Sequence, residues 1–136
     1  MRIVVLAVGR LRPPYADDVQ HYRKLLAGVA RVEVQECRDD EKVARRIPER
    51  AFVSLLDGAG ETMDSIAFSR WVEARRMDGR ELWFVIGGAF GGLELGGADH
   101  RLSLGPMALP HQLARVVLLE QLYRAHKILA GEPYHY

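Results

Sequence analysis

The sequence predicts an α/β fold: a mainly parallel sheet with helices on both faces, in a single domain over residues 1–136. Short apolar runs typical of strands alternate with longer segments typical of helices, and this alternation favours parallel strands joined by helices. The length of 136 residues fits one domain with a moderate core. No internal repeat, low-complexity segment or linker divides the chain.

The first strand and the first helix have clear signals. Residues 3–8 are a continuous apolar run, which predicts a strand buried on both faces. Asp17 and Asp18 favour the start of a helix, because their charges oppose the helix dipole. This helix should end near Ala27, before a glycine.

Two further strands flank a charged segment. Residues 32–36 alternate between apolar and polar, which predicts a half-exposed strand. Residues 52–56 predict a third strand that ends at Asp57. Between them, residues 38–50 are highly charged with little apolar periodicity, so this segment is either a short helix or a mobile loop.

The next helix has signals at both ends. Asp64 is suited to the N-cap, and Gly79 to the position just after the last turn. Residues 82–86 then predict a fourth strand. Residues 102–109 contain a short strand or an extended loop.

The last predicted helix, residues 111–129, is apolar around nearly its whole circumference. Such a helix is buried on most sides. In a domain of this size the sheet can cover only part of it, so a homodimer is the simplest way to bury the rest. Leu118 and Leu122 are expected to face outward, toward the partner.

Composition excludes several classes of site. The net charge is +1, which does not indicate nucleic-acid binding but allows it, since a local basic patch is sufficient. The single Cys37 excludes an intramolecular disulfide and suits a reducing cytoplasm. No apolar run approaches the about 20 residues that span a membrane, so no membrane association is expected. The histidines lack zinc-motif spacing, so no metal site is expected.

Two loops are candidates for holding a small molecule. Glycine-rich residues 87–92 directly follow the fourth strand, where the absence of Cβ atoms lets a ligand approach the backbone. They contain neither a dinucleotide-binding nor a P-loop pattern, so they form either a ligand loop or a tight connection. Their place after a strand favours a ligand. Residues 104–110 form the second loop.

Polar residues near the C-terminus leave alternatives open. His111, at the start of the last helix, is either a capping residue or a functional group. His135 lies in a tail, and tails are usually disordered, but its aromatic neighbours favour an ordered one. Glu120, Arg124 and Lys127 share a helix face, as a solvated ion-pair stripe or as a surface that faces a polyanion.

These motifs together resemble those of a known family, the RlmH-type large-subunit ribosomal RNA methyltransferases of the knotted SPOUT class. The similarity covers essentially the whole chain and is strongest from Phe52 onward. The matching segments are residues 5–9, 55–57, 86–89, 91, 104–111, 115, 120–125 and 133–135.

The resemblance implies more than the periodicity does. It implies a trefoil knot near the C-terminus, a homodimer, a cytoplasmic location and S-adenosylmethionine as the methyl donor. The implied substrate is a pseudouridine in the helix-69 stem-loop of large-subunit ribosomal RNA, methylated at N3 within the assembled ribosome.

The resemblance also implies where the RNA-facing and catalytic surface lies, and it includes the tail residues Tyr134 and His135. From the chemistry of N3 methylation we hypothesise that His135 is a base or a substrate positioner, Tyr134 a stacking or hydrogen-bonding partner, and Arg124 an RNA anchor. The implied RNA-facing residues are Arg115, Glu120, Tyr123 and Arg124. The implied cofactor-binding residues are Leu56, Gly87, Leu104, Gly105, Pro106, Met107, Ala108 and Leu109.

Two departures from the family pattern support an alternative function. The family often has an acidic or small polar residue where Phe90 stands, and usually a basic residue where Tyr136 stands. The alternative is a dimeric RNA- or nucleotide-binding protein of the same fold without turnover. A scaffold without any ligand is a third possibility.

Overall fold

The computed structural model describes residues 1–88, 93 and 95–134. Within them, a single 3₁₀ turn, Asp40–Lys42, precedes the second helix. The alternation of strands and helices predicted from the sequence is confirmed. In chain order the elements are β1 (Arg2–Val8), α1 (Tyr15–Ala27), β2 (Arg31–Cys37), α2 (Val43–Arg46), β3 (Phe52–Thr62), α3 (Ser65–Asp78), β4 (Leu82–Ile86), β5 (His100–Ser103) and α4 (His111–Leu129).

The five strands form one parallel sheet in the order β2-β1-β4-β3-β5. The central strands β1 and β4 are buried on both faces, as their continuous apolar runs predict. Because the strands are parallel, their carboxyl ends lie on one edge of the sheet. The loops that follow β1, β4 and β5 therefore meet at this edge beside the middle of β3, and open α/β sheets bind their ligands at such an edge.

Helices cover the two faces of the sheet unequally. Helices α1, α3 and α4 lie on one face, where Leu26, Val72 and Leu118 pack in one cluster with the side chains of β1 and β4. On the other face, Val43 of α2 packs in a second cluster with Trp83. The prediction of helices on both faces is confirmed, although α2 has only four residues.

The charged segment of residues 38–50 contains the 3₁₀ turn and α2. Asp39 caps the turn, because its Oδ1 accepts a hydrogen bond from the Lys42 N–H at 3.2 Å. Val43 is fully buried against the sheet. So short a helix shows no apolar periodicity, which is why the sequence pattern allowed either a helix or a loop here.

Helix α3 begins and ends where predicted. Asp64 Oδ1 accepts a hydrogen bond from the Ala67 N–H at 2.7 Å and caps the first turn. Gly79 has a φ of +79°, in the left-handed region where glycine is favoured at the end of a helix. Helix α1 ends at Ala27, also as predicted.

Strand β3 continues past Asp57, where the sequence predicted its end. Its pairing with β5 is irregular between Leu56 and Glu61 and then resumes. Gly60 lies so close to β5 that an added Cβ would be 2.6 Å from the carbonyl carbon of Arg101. A glycine is therefore required where β5 approaches the backbone of β3 most closely.

Helix α4 has the predicted bounds, but two of its residues do not face outward as predicted. Leu118 and Leu122 are 0% exposed and lie in the core between α4, α1 and α3. Sequence reasoning counted only the sheet as cover and missed these two helices. The half-buried apolar residues of α4 include Leu113, Val117 and Ile128.

The trefoil knot stays a prediction, because the connection from β4 to β5 includes residues 89–92 and 94, which lie outside the described residues. None of the helices in the described part of the chain is long and apolar enough to cross a membrane.

Candidate functional site

A large cavity opens at the carboxyl edge of the sheet, and another lies beside it. The first cavity has a volume of about 730 Å³ and lies between the middle of β3, the ends of β4 and β5 and the start of α4. Sites for small molecules measure roughly 300–1,000 Å³. The second cavity, of about 630 Å³, lies beyond the ends of β1 and β2. Gly88 and His111 line both cavities.

The first cavity brings together most of the residues predicted to hold a cofactor. They come from β3, from the end of β4 and from the loop after β5, which the parallel sheet places at one edge. Pro106, the eighth predicted residue, is exposed and does not line the cavity. The seven that line it are Leu56, Gly87, Leu104, Gly105, Met107, Ala108 and Leu109.

The loop after β5 is shaped by a glycine and a serine. Gly105 has a φ of +130°, a conformation that other residues rarely adopt. Ser103 Oγ accepts a hydrogen bond from the Gly105 N–H at 3.1 Å. The same oxygen lies 3.0 Å from the Gly105 carbonyl oxygen and 3.2 Å from that of Gly58, either of which can accept its proton. These bonds tie the loop to β3.

Beyond Gly105 the loop offers both donors and apolar surface. No hydrogen bond within the described residues uses the backbone N–H groups of Met107, Ala108 and Leu109. The Met107 residue is 82% exposed, although it is large and apolar. Free donors beside an apolar surface suit a flat heteroaromatic ring, which has acceptor nitrogens at its edge and apolar faces.

Gly87 lies at the end of β4, where backbone can approach a ligand. A Cβ added there would stand 3.1 Å from Leu93 Cβ, closer than ordinary contact. Leu93 also lines the first cavity. A side chain at Gly87 would therefore displace Leu93 and change the shape of the cavity.

Sequence reasoning missed an ion pair at the first cavity. Asp57 Oδ2 accepts a hydrogen bond from Arg101 at 2.8 Å, and its Oδ1 accepts one from the Ala59 N–H at 2.9 Å. The bond from Ala59, followed by that from Arg101, lowers the pKa of Asp57, so the carboxylate is ionised at neutral pH. Asp57 directly follows a predicted strand end, a signal that could have identified it.

Arg115 was predicted to face RNA, and the structure contradicts this. The residue is 0% exposed. Its guanidinium donates to Glu36 Oε2 at 2.6 Å and to the Gly9 carbonyl oxygen at 3.2 Å. Glu36 Oε2 also accepts a hydrogen bond from the Leu11 N–H at 2.8 Å. Arg115 thus holds the loop after β1 against α4.

The other predicted RNA-facing residues form one cluster on α4. Glu120 Oε1 accepts two hydrogen bonds from Arg124, at 2.7 and 3.0 Å. The Arg124 guanidinium carbon lies 4.1 Å from the centroid of the Tyr134 ring. The Tyr123 and Tyr134 rings are 5.5 Å apart and meet edge to face. The chain after α4 therefore folds back onto the helix as far as Tyr134.

This cluster is distant from the first cavity of the same protomer. Ala114 lines that cavity, and Arg124 follows it by about 15 Å along the helix, at about 1.5 Å of rise per residue. Burial and a hydrogen bond to Glu120 raise the pKa of Tyr134 to about 12, so its phenol stays protonated. His135, Tyr136 and Phe90 lie outside the described residues.

His111 is not a helix cap. The N-cap of α4 is Pro110, which makes no side-chain capping bond. His111 instead lines both cavities. Burial, with smaller contributions from Arg115 and Arg12, lowers the pKa of His111. Its imidazole is therefore neutral at neutral pH.

A serine, a histidine and a glutamate also meet away from the cavities. Ser54 Oγ lies 2.9 Å from His100 Nδ1, and His100 Nε2 lies 2.7 Å from Glu61 Oε1. Ser54 is fully buried and lines neither cavity, so this chain joins β3 to β5 rather than forming a hydrolase site. In the described part of the chain, no three His, Cys, Asp or Glu side chains are grouped closely enough to hold a metal ion.

Known proteins are similar to this chain over nearly its whole length. A family model described as "Predicted SPOUT methyltransferase" matches residues 1–135. The chain is 39% identical to the ribosomal RNA large subunit methyltransferase H of Gemmatimonas aurantiaca over 156 residues, covering 99% of each chain. It is 42% identical to the protein of the same name from Paracoccus denitrificans over 154 residues, again with 99% of each chain covered.

Proposed function

The chain belongs to the SPOUT methyltransferase family, and we propose that it methylates N3 of a pseudouridine in large-subunit ribosomal RNA. The target would lie in the helix-69 stem-loop of the assembled ribosome, in the cytoplasm. The names of its relatives, ribosomal RNA large subunit methyltransferases, support the substrate class. The observation that most supports the proposal is the first cavity, which gathers seven of the residues expected to hold the methyl donor.

S-adenosylmethionine suits the first cavity in size and chemistry. Leu56, Met107 and Leu109 would cover the adenine faces, and the unpaired N–H groups of the loop would donate to its ring nitrogens. The ionised Asp57 can accept hydrogen bonds from ribose hydroxyls. When bound, this cofactor supplies a methyl group activated by a positively charged sulfur.

A homodimer is part of the proposal. Arg124 lies too far along α4 to reach the first cavity of its own protomer, and Tyr134, in the chain after α4, packs against Arg124. The tail of a partner subunit could bring these groups to the cavity. Leu113, Val117 and Ile128 of α4 are half-buried in the protomer and offer apolar surface for such a contact.

The chemistry requires that N3 lose its proton, because a protonated ring nitrogen is a poor nucleophile. We propose that His135 is a base or a substrate positioner, since histidine has an unperturbed pKa of roughly 6.5. With a pKa of about 12, Tyr134 donates hydrogen bonds or stacks, and does not accept the proton. Arg124 stays charged and can anchor phosphates, with Glu120 and Tyr123 beside it on the RNA-facing surface.

Two measurements on the unmodified protein test this function. Calorimetric titration should detect S-adenosylmethionine binding. Ribosomes from a strain without this activity, incubated with the protein and S-adenosylmethionine, should gain one methyl group on a pseudouridine. Mapping the modified nucleotide identifies the target. Absence of cofactor binding would defeat the enzyme function. Cofactor or ribosome binding without methylation would favour the alternative of a binding protein without turnover.

Replacing His135 with Ala should slow methylation in a single turnover by about 100-fold if His135 is the base, the lower end of the usual effect of general base catalysis. Cofactor affinity, measured separately, should stay unchanged. His21→Ala, on the exposed surface of α1, is the matched control. A rate within about threefold of the parent, less than 1 kcal/mol of barrier, would remove His135 from the mechanism.

A further inference from the structure

We propose that the second cavity receives the target nucleotide, with Arg10, Arg12 and Arg38 holding its phosphate groups and His111 accepting the ring N–H proton. This inference rests on the proposed function, because it assumes an RNA substrate and a methyl donor in the first cavity. It assigns the proton to a residue of the described site and leaves His135 as a substrate positioner.

The three arginines are available for an anion. No hydrogen bond or ion pair within the described residues uses the guanidinium groups of Arg10, Arg12 or Arg38, and all three line the second cavity. By contrast, Arg101 at the first cavity is paired with Asp57. Guanidinium groups bind phosphate oxygens with two parallel hydrogen bonds. The second cavity is therefore the better suited of the two for an RNA backbone.

The acidic residues of the second cavity suit a nucleobase with N–H donors more than a phosphate alone. Asp39, Asp40 and Glu41 also line it, and carboxylates accept hydrogen bonds but repel anions. Asp39 already accepts a hydrogen bond from the Lys42 N–H. A pseudouridine nucleotide has two ring N–H donors, which can meet the carboxylates, and a phosphate, which can meet the arginines.

The loop that presents Arg10 and Arg12 is held through its backbone. Gln112 Nε2 donates to the Arg10 carbonyl oxygen at 3.0 Å, and Gln112 Oε1 accepts from the Arg12 N–H at 2.7 Å. The buried Arg115 holds the carbonyl oxygen of Gly9. This order before binding reduces the entropy lost when a substrate is bound. Because these bonds use main-chain atoms, truncating the two arginine side chains leaves them in place.

His111 stands between the two ligands of the proposed reaction. Its Nε2 lies 3.8 Å from the point where a Cβ would stand on Gly9, which lines the second cavity. His111 also lines the first cavity. Arg12 and Arg115 are the charged neighbours that, after burial, keep the imidazole neutral and able to accept a proton.

The step balances without any further reactant. The N3–H proton passes to His111, and the N3 lone pair forms a bond to the methyl carbon. The carbon–sulfur bond breaks, and its electron pair stays on sulfur, which becomes neutral. The imidazolium then returns its proton to water.

The arginine assignment is tested by the double variant Arg10→Ala/Arg12→Ala, with Arg31→Ala/Arg70→Ala as a control that removes the same charge from exposed positions outside both cavities. Ribosome binding is measured without cofactor over a range of salt concentrations. The double variant should bind about tenfold more weakly, with a salt slope lower by about 2, roughly one for each phosphate that the variant no longer neutralises. The control variant should bind like the parent.

The proton assignment is tested by His111→Asn, which keeps a polar side chain of similar size without the basic nitrogen. Its single-turnover rate should fall by about 100-fold, as for loss of a general base, while ribosome affinity stays within about twofold. Thermal melting checks that the variant is folded, and His111→Gln is the second variant. A rate within about threefold of the parent overturns the role of His111.

A failure of the second cavity as the nucleotide site and a failure of the proposed methyltransferase function give different outcomes. A parent protein that does not methylate ribosomes overturns the proposed function, and the inference with it. A parent that methylates, with the Arg10→Ala/Arg12→Ala variant binding ribosomes like its control, overturns the second cavity as the nucleotide site and leaves the methyltransferase function intact.

Discussion

Replacing Leu118 with Asp is expected to abolish cooperative unfolding, whereas the same change at the adjacent Val117 should leave the protein folded. Leu118 is 0% exposed and lies in the core between α4, α1 and α3. Removing a buried leucine side chain costs about 2–5 kcal/mol, and an unpaired buried charge about 3–5 kcal/mol more. Domains are stable by only about 5–15 kcal/mol, so the sum removes most or all of the stability.

Val117 is the matched control for this prediction, because it lies one position away on the same helix and is half-buried. A charge there can remain in contact with water. Circular dichroism melting should show a cooperative transition for Val117→Asp and none for Leu118→Asp. Light scattering of Val117→Asp should also show a monomer if α4 forms the proposed dimer contact. A cooperative melt of Leu118→Asp near the parent Tm would contradict the packing of α4.

The contrast between these two neighbours shows what an apolar pattern can predict. The sequence correctly placed α4 at residues 111–129 and predicted that most of its circumference is buried. It did not predict which neighbours bury it. Leu118 is covered by α1 and α3 of the same chain, and their positions follow from the strand order, which periodicity does not contain.

Strand β3 shows a second limit of local patterns. Its apolar run ends near Leu56, and the strand continues because β5 lies beside it. The pairing of Glu61 with Leu102 joins residues that are far apart in sequence. Gly60, which β5 approaches closely, was the available signal, but a single glycine in such a segment is equally typical of a turn or a bulge.

The candidate site was predicted where loop motifs determine it and missed where long-range pairing does. The predicted end of β3 and the loops after β4 and β5 were identified from strand patterns and glycines, and these segments do line one cavity, although β3 itself continues past Asp57. Arg115 was expected at the surface because it falls where the resembled family places its RNA-facing residues. Glu36, 79 positions earlier in the chain, pairs with it at 2.6 Å and allows its burial. Nothing near Arg115 in the sequence indicates that partner.

Replacing Gly105 with Ala is expected to weaken S-adenosylmethionine binding by about tenfold. Gly105 has a φ of +130°, and a Cβ there would meet no atom within 4 Å, so strain in the backbone is the whole effect. Such strain costs about 1–3 kcal/mol. It weakens binding to the extent that the free loop relaxes and the bound loop must take the strain up again, and about 1.4 kcal/mol is a factor of ten in affinity. If the backbone relaxes to relieve the strain, the Gly105 N–H moves away from Ser103 Oγ and the cavity loop shifts.

Gly79→Ala separates this effect from a general loss of stability. Gly79 has a φ of +79°, and a Cβ there also meets nothing within 4 Å, but the residue ends α3 and does not line the first cavity. It should lower the free energy of unfolding by about 1 kcal/mol, the usual cost of a left-handed conformation outside glycine. Its cofactor affinity, measured by calorimetry, should equal that of the parent. If Gly105→Ala also bound S-adenosylmethionine like the parent, residues 104–109 would not hold the cofactor, and the first cavity would need another ligand.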